Sequence, residues 1–428
     1  MKMLLEKKQK TIILDSIKVR ANNFVGMLVV LLFCCLPQQA ISDSEVVDIT
    51  FTEWQENFKQ LAVEKGIPED ILDSAFQDMT LNTKVLKLDN SQPEFTRAIW
   101  AYLDNAISDQ RIKKGKEVLN QHRHLFEEIS SKYGVPAEII IAIWAMESDF
   151  GGNYGSMSVI RSLATLAYAG KRKEFAQTEL LAVFRIMVCE SLQVEDMVGS
   201  WAGAIGQPQF MPTSFQKYAV DYNKDNKRDI WRSLDDAFAS IANYMHASGW
   251  NIGEPWGLEA ILPSDFDWQK QAADNPENKP MTISAWKQLG ISFASDESFA
   301  NDDQLASLFF PAGHLGPIFL TFSNFEVIKK YNLSLSYSLA VGLLSSGIAK
   351  DTKLFGVWPR DDKPLSYDDK ILLQAQLNAA GFNVGEVDGK VGSNTRKAIR
   401  GWQLKNNLAA DGYITLPLLG RFKQAFKE

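Results

Sequence analysis

"GVPAEIIIAIWAMESDFGG", Gly134 to Gly152, is the stretch on which the reading of this chain turns. Pro136 suits the first helical position, where a missing N–H leaves no bond unmade, and Glu138 favours the positive end of the helix dipole. Ile139, Ile140, Ile143 and Met146 recur at helical spacing and cover one face, which Glu147 shares because it lies four residues after Ile143. Gly151-Gly152 is expected to end the helix one turn later. A carboxylate is thus placed on an apolar face, close to the negative end of the dipole. Both circumstances disfavour its charge, so Glu147 should keep its proton to unusually high pH, as a general acid at neutral pH must. The bland alternative is a buried ion pair, with Arg161 or Arg172 as the cation.

Glycoside hydrolysis ordinarily uses a second carboxylate about 5–9.5 Å from the first. Asp149 follows too closely and points off the other side of the helix. Glu190, Glu195 and Asp196 are near only in sequence, so spacing identifies no partner. Other chemistries lack their motifs. The chain has 4 histidines but no H-E-x-x-H, and His122 and His124 point apart on a helix. There is no G-x-S-x-G and no glycine-rich phosphate loop.

A length of 428 residues allows two or three domains, and a net charge of −7 argues against nucleic acid as a partner. Lysines and arginines precede the apolar run "FVGMLVVLLFCCL" (Phe24 to Leu36), and small residues follow at Ala40 and Ser42. That order reads as a secretory signal over residues 1–42 and implies a periplasmic protein. Phe33 stands before Cys34 where a lipid-anchor signal wants a small residue, so no lipid anchor is expected. Beyond the signal only Cys189 remains, expected in the core of a helix and without a disulfide.

Residues 43–355 read as predominantly helical. Between about 250 and 322, short apolar runs bounded by Gly and Pro suggest strands in a small β-containing insertion, with a surface loop at Ala272 to Pro280. A polar linker covers 356–366. Residues 367–428 read as a small three-helix unit, with turns at Asp388-Gly389 and Asp411-Gly412 and a helix capped by Ser393 or Asn394.

This last unit, through Leu373-Gln374-x-x-Leu377, Gly381, Gly385, Asp388-Gly389, Gly392, Thr395, Ala398 and "WQLKNNLAADG", resembles the peptidoglycan-binding domain of cell-wall hydrolases. The larger part is similar to the B family of lytic murein transglycosylases. "AMESDFG" resembles that family's catalytic glutamate motif, and "GSWAGAIGQPQFMPTSFQKYAVD" (Gly199 to Asp221), "IANYMHASGW" (Ile241 to Trp250) and "KKYNLSLSYSLAVG" (Lys329 to Gly342) resemble its further signatures. The resemblance implies a mainly α (α+β), lysozyme-like fold and cleavage of peptidoglycan glycan strands without water. One glutamate protonates the bond between N-acetylmuramic acid (NAM) and N-acetylglucosamine (NAG). It then deprotonates the muramic C6 hydroxyl, which closes a 1,6-anhydro ring and removes the need for a second carboxylate. The rivals are a hydrolytic muramidase and a non-catalytic wall-binding scaffold.

Carried over residue by residue, the resemblance gives Glu147 as the acid and Ser200, Gln209, Tyr244, Tyr331, Asn332, Tyr337 and Tyr102 as sugar contacts. Phe175 falls where some members have tyrosine, keeping a stacking face and losing a hydroxyl. Asp221, Asn223, Asp225 and Asp229 occupy positions 1, 3, 5 and 9 of an EF-hand-like series, where some members bind calcium. Here Asn226 replaces the turn glycine and Arg232 the bidentate glutamate; Asp235 or Asp236 could supply a late ligand. No cofactor is required, and structural calcium is an open option. The expected partner is peptidoglycan, the chain is expected to be a monomer, and cell-wall synthesis or secretion complexes are left open as further partners.

Overall fold

A helix that is apolar on every side must be surrounded, and Ala137–Ser148 is such a helix: all of Ile139 to Ala145 are buried. In the computed structural model, which describes residues 49–90, 98–274, 279–294, 301–350 and 353–425, this acid helix runs through the largest apolar cluster. Asp109–Gln121, Arg123–Tyr133, Leu234–Ala247 and Leu335–Ala349 pack around it. The last of these, the tyrosine helix, is also buried along most of its length. Glycines let neighbouring groups approach these helices closely. A Cβ on Gly115 would lie 2.4 Å from Ile348 Cδ1, and one on Gly342 would lie 2.5 Å from the Trp256 ring. Among the described residues no single helix is long and apolar enough to cross a membrane.

A second helical cluster forms where Phe51–Glu64, Glu69–Phe76, Val159–Ala169 and Lys173–Glu190 meet, with Phe58, Phe76 and Phe184 in mutual ring contact. Two short strands, β1 (Met157–Ser158) and β2 (Val198–Gly199), pair antiparallel beside it. Cys189 is exposed on Lys173–Glu190, not in the core as its apolar neighbours suggested. Ile186 and Met187 take the inward positions of that turn instead.

The insertion contains β3 (Gly257–Ile261), β4 (Met281–Thr282), β5 (Ser292–Phe293), β6 (Leu305–Phe309) and β7 (Ile318–Thr321), all paired antiparallel in the order β4-β6-β7-β3-β5. Central β7 is buried on both faces. Leu320, opposite Leu258 and Leu308, faces a local core around Trp286, while Phe319 points the other way into the helical core. Of the loop expected at Ala272 to Pro280, the first residues to Asp274 belong instead to the helix Trp268–Asp274; residues 275–278 lie outside the described residues. So does the N-terminal signal reading, over residues 1–42.

After the polar stretch come Tyr367–Ala379, Ser393–Lys405 and Leu416–Ala425, packed through Leu373, Leu377, Ile399, Trp402 and Phe422. Two buried glutamines hold its turns. Gln374 accepts from Asp388 N and Gly389 N and donates to Asp388 Oδ1 and Lys390 O. Gln403 accepts from Gly412 N and donates to Asp411 Oδ1 and Tyr413 O. Both Asp-Gly turns therefore close over a buried side-chain amide, which explains glutamine inside apolar helices. The middle helix begins at Ser393 itself, with Gly392 as its N-cap and no side-chain cap, so the expected Ser393 or Asn394 cap is absent there.

Gly342→Ala is expected to lower stability by about 1–3 kcal/mol, the usual cost of overpacking, because the new methyl meets the Trp256 ring. Chemical denaturation reads this directly; an unchanged midpoint would show that the ring can move aside.

Candidate active site

Glu147 occupies the last turn of the acid helix. The chain leaves that helix through Asp149, Phe150 and Gly151, all left-handed with φ of 50°, 59° and 76°. The helix thus ends at Ser148, earlier than the glycine pair suggested. For Asp149 and Phe150 this backbone is costly, of the order of 1 kcal/mol each, and their side chains are held from outside. Arg111 donates to Asp149 Oδ1 at 2.8 Å and to Ala145 O at 2.5 Å. A cation therefore already meets the carbonyl end of the helix, which weakens the dipole argument for Glu147. Burial is what acts on its proton.

The carboxyl is only partly accessible, and loss of hydration raises its pKa from 4.5 to about 7. Tyr337, in the first turn of the tyrosine helix, donates its hydroxyl to Glu147 Oε1 at 2.6 Å and pulls modestly the other way. Burial and the neighbouring Glu147 keep Tyr337 protonated well past the usual phenol range, so it remains a donor. The buried-ion-pair alternative fails on position. Arg161 is spent on Thr80 and Leu81 O, and Arg172 lies over the Phe175 ring. Of the four carboxylates considered as partners, three are committed elsewhere: Asp149 to Arg111, Glu190 to Arg228 and Asp196 to Arg232.

The chain from Gly199 to Asp221 forms a wall beside this carboxyl and is fastened at three places. Gln207, buried, accepts from Trp144 Nε1 on the acid helix at 2.7 Å and donates to Trp231 O at 2.9 Å. Tyr331 donates to Pro208 O at 2.6 Å, and buried Glu179 accepts from Thr213 N and Oγ1 at the start of helix Pro212–Tyr218. Gly151 is required where the acid helix meets this wall, because a Cβ there would lie 2.5 Å from Gln207 Oε1 in a left-handed backbone. Sequence reading passed over Gln207 and Arg111. Gln207 lay inside a quoted motif, but nothing local shows that its amide spans to Trp144, 63 residues away. Arg111 is 34 residues from the carbonyl it meets and carries no sequence signal.

Several expected contacts gather here. Tyr331 and Tyr337 are both close enough to Glu147 for its charge to raise their pKa values, and Tyr102 acts in the same way on Tyr337. Tyr244 packs on Tyr331 at 4.7 Å between centroids and donates to Lys330 O. Gln209, at φ 50°, gives both amide protons to Tyr154 O and Gly206 O, which leaves its Oε1 available to accept. Ser200 Oγ accepts from Ala204 N, so its own proton remains to be donated. Asn332 is exposed, its Oδ1 bonded to Ser334 N. Phe175 is 41 % exposed with the Arg172 guanidinium 4.9 Å from its centroid, and no described contact brings it to Glu147.

The loop from Asp221 to Asp236 folds on its own amides. Asp221 accepts from Asp225 N and Asn226 N, Asp225 from Lys227 N, and Asp229 from Trp231 N and Arg232 N. Asn226 takes the left-handed turn, φ 68°, that a glycine would otherwise supply. Asp236, a candidate late ligand, is buried and accepts from Tyr222 N, Asn223 N and Asp229 N. Among the described residues no three acidic, His or Cys side chains converge to hold a metal. Arg232 stands where a bidentate carboxylate belongs, while Asn223 and the loop carbonyls remain oxygen donors of the kind calcium takes.

Residues 50–346 match the family model described as the Transglycosylase SLT domain, and residues 366–420 match a peptidoglycan binding domain. The chain is 29% identical over 249 residues to membrane-bound lytic murein transglycosylase B of Escherichia coli K12; the match covers 58% of this chain and 66% of that protein, just under two thirds of its length. SltB3 from Pseudomonas aeruginosa, solved in complex with NAG-anhNAM-pentapeptide and with NAG-NAM-pentapeptide, is 44% identical. It superposes with a TM-score of 0.81 over 87% of this chain and 99% of that chain. The lytic transglycosylase SLT35 of Escherichia coli, solved in complex with calcium, is 28% identical with a TM-score of 0.58, covering 69% and 92% of the two chains.

Burial of Glu147 also has a stability signature. Its folded pKa lies above the unfolded value, so its ionisation opposes folding increasingly as pH rises from about 5 through 7. Glu147→Gln cannot ionise and still accepts from Tyr337. Its melting temperature should therefore exceed the wild type's by more at pH 8 than at pH 4.5; an equal difference at both would mean an ordinary hydrated carboxyl.

Proposed function

The chain belongs to the Transglycosylase SLT domain family, and from that premise we propose that it is a lytic transglycosylase of peptidoglycan in which Glu147 alone carries both proton transfers. The observation that carries this reading is a single, largely desolvated carboxyl with a pKa of about 7, hydrogen-bonded only to a tyrosine among the described residues. A hydrolase would hold a second carboxylate across the cleft to activate water. Here three of the four candidates for that role, Asp149, Glu190 and Asp196, are paired with arginines instead.

Protonated Glu147 donates to the oxygen linking the muramic C1 to the next sugar, and the C1–O bond breaks. The carboxylate so formed is stabilised by the Tyr337 hydroxyl until it takes the proton of the muramic C6 hydroxyl. O6 then bonds C1, and the 1,6-anhydro end forms with the acid restored. Atoms and protons balance without water. A pKa near 7 suits a group that must first give and then take a proton. Gln209 Oε1 and the Ser200 hydroxyl supply an acceptor and a donor for sugar substituents, and the Tyr244–Tyr331 pair a face for a ring.

This reading assigns residues 43–355 to catalysis, 367–428 to wall binding and 356–366 to the linker between them. It assigns residues 1–42 to export, with the periplasm, where peptidoglycan lies, as the working compartment. The Asp221–Asp236 loop serves as a hydrogen-bonded brace at the end of the site wall.

Glu147→Gln is expected to reduce release of anhydro-ended muropeptides from purified sacculi by about 10²–10⁴-fold while sacculus binding persists. Mass spectrometry of the wild-type digest decides the chemistry, since reducing muramic ends would overturn the proposal. Activity should decline as pH rises above about 7, because the acid form is lost. Tyr337→Phe removes the bond that favours the carboxylate, so that alkaline limb should move to higher pH while the rate drops by about tenfold or more. A limb that stays in place would show that Tyr337 does not act on Glu147.

A further inference from the structure

We propose that the cavity between the insertion and the C-terminal three-helix unit is a binding site for the stem peptide of peptidoglycan, built jointly by both. The inference rests on the wall-cleaving function proposed above and adds a second point of recognition, outside the catalytic cleft.

The three-helix unit is fastened to the insertion. Arg396 donates to Phe310 O at 3.0 Å, buried Arg400 donates to Gln271 Oε1 at 2.6 Å, and Asp411 Oδ2 accepts from His314 N and pairs with His314 Nδ1 at 2.7 Å. The two arginine bonds are buried or partly buried, and in the His314 pair, which is open to water, the Asp411 side chain is only 5% exposed. The two walls therefore keep a fixed separation. Between them lies a cavity of about 710 Å³, inside the range of about 300–1,000 Å³ common for ligand sites.

The lining selects among peptidoglycan's components. Leu315, Leu408, Leu418 and Pro359 make it mainly apolar, and Leu315 is 75% exposed, an unusual position for leucine without a partner. Arg421 and Lys363 stand exposed in the lining, and neither makes a described hydrogen bond or ion pair. Asp361, Asp362 and Asp411 contribute the opposite charge, the last two already engaged by Tyr413 and His314. Tyr413 is the aromatic side chain of the lining, and its hydroxyl is already given to Asp362 Oδ2 at 3.0 Å. A sugar ring would want open aromatic faces and a dense set of hydrogen-bonding groups. Small aliphatic side chains with a few carboxylates and an amine, the chemistry of a short zwitterionic peptide, match this mixture instead. Arg421 is suited to take a carboxylate in bidentate form.

The two halves contribute different parts. Leu315 comes from the insertion, Lys363 and Asp361 from the linker, and Leu418 and Arg421 from the last helix. The isolated three-helix unit would present only part of the site, so the full chain is the species to test.

Glu147→Gln protein, labelled for NMR, is titrated with NAG-NAM-pentapeptide and separately with NAG-NAM lacking the peptide. The peptide-bearing ligand is expected to shift amides in Ala312–Leu315 and in Gly412–Leu418, and the peptide-free ligand to leave both segments unshifted. Adding Arg421→Glu, or independently Leu315→Asp, is expected to weaken the peptide-dependent binding at these segments by about tenfold, the loss of roughly one charge-assisted contact in the first and of one apolar contact in the second. Both positions are exposed, and a variant that loses its wild-type melting temperature is replaced by the other. Shifts that are absent, equal with peptide-free ligand, or unchanged in affinity in both variants overturn the proposal. A chain that yields anhydro ends but shows no peptide-dependent shifts sinks this inference alone; shifts without anhydro products would instead sink the function on which it rests.

Discussion

A carboxyl group stripped of most of its water, with one tyrosine hydroxyl in return, is the constraint on which the rest of this structure depends. To strip it, the acid helix must be wrapped on all sides, so Ile139 to Ala145 are buried, two helices around them approach through Gly115, and the Trp256 ring packs down on Gly342. It keeps one hydrogen bond and no cation: Arg111, which meets the end of its helix, is taken by Asp149 and Ala145 O, and Arg161 lies on Thr80. Burial and the missing ion pair are thus two sides of one arrangement, and together they hold the proton near neutrality.

Polar side chains fix what the apolar core cannot. Apolar packing is non-directional, whereas a hydrogen-bonded amide defines both distance and angle. Gln207 ties the site wall to the acid helix through Trp144, and Gln374 and Gln403 close the two Asp-Gly turns of the last unit. Each is buried and uses both its oxygen and its nitrogen. The same device recurs in Asp236, whose carboxylate gathers three amides of its loop.

Sequence reading and structure part company where contacts span many residues. Glu147 was legible because its burial follows from spacing within its own helix. The raised pKa was foreseen, but the share given to the helix dipole was not, since Arg111 caps those carbonyls from another helix. Cys189 was misplaced because its helix is amphipathic only in part, and the turn that looked inward by composition faces out. The aromatic contacts could be named from their motifs, yet their pairing could not. Tyr331 reaches Pro208 across 123 residues.

Local periodicity, cap chemistry and glycine placement thus determined, from the chain alone, a mainly helical protein with a β insertion, a small final helical unit and one anomalous carboxyl. These are properties of neighbours within a few residues, where helix and strand geometry fixes which side chains share a face. Only the tertiary structure decided that Tyr337 is that carboxyl's partner, that Arg111 and Gln207 hold its surroundings, and that the final unit shares a cavity with the insertion. Those facts depend on side chains brought together from distant parts of the sequence, and chain separation carries no record of which of them will meet.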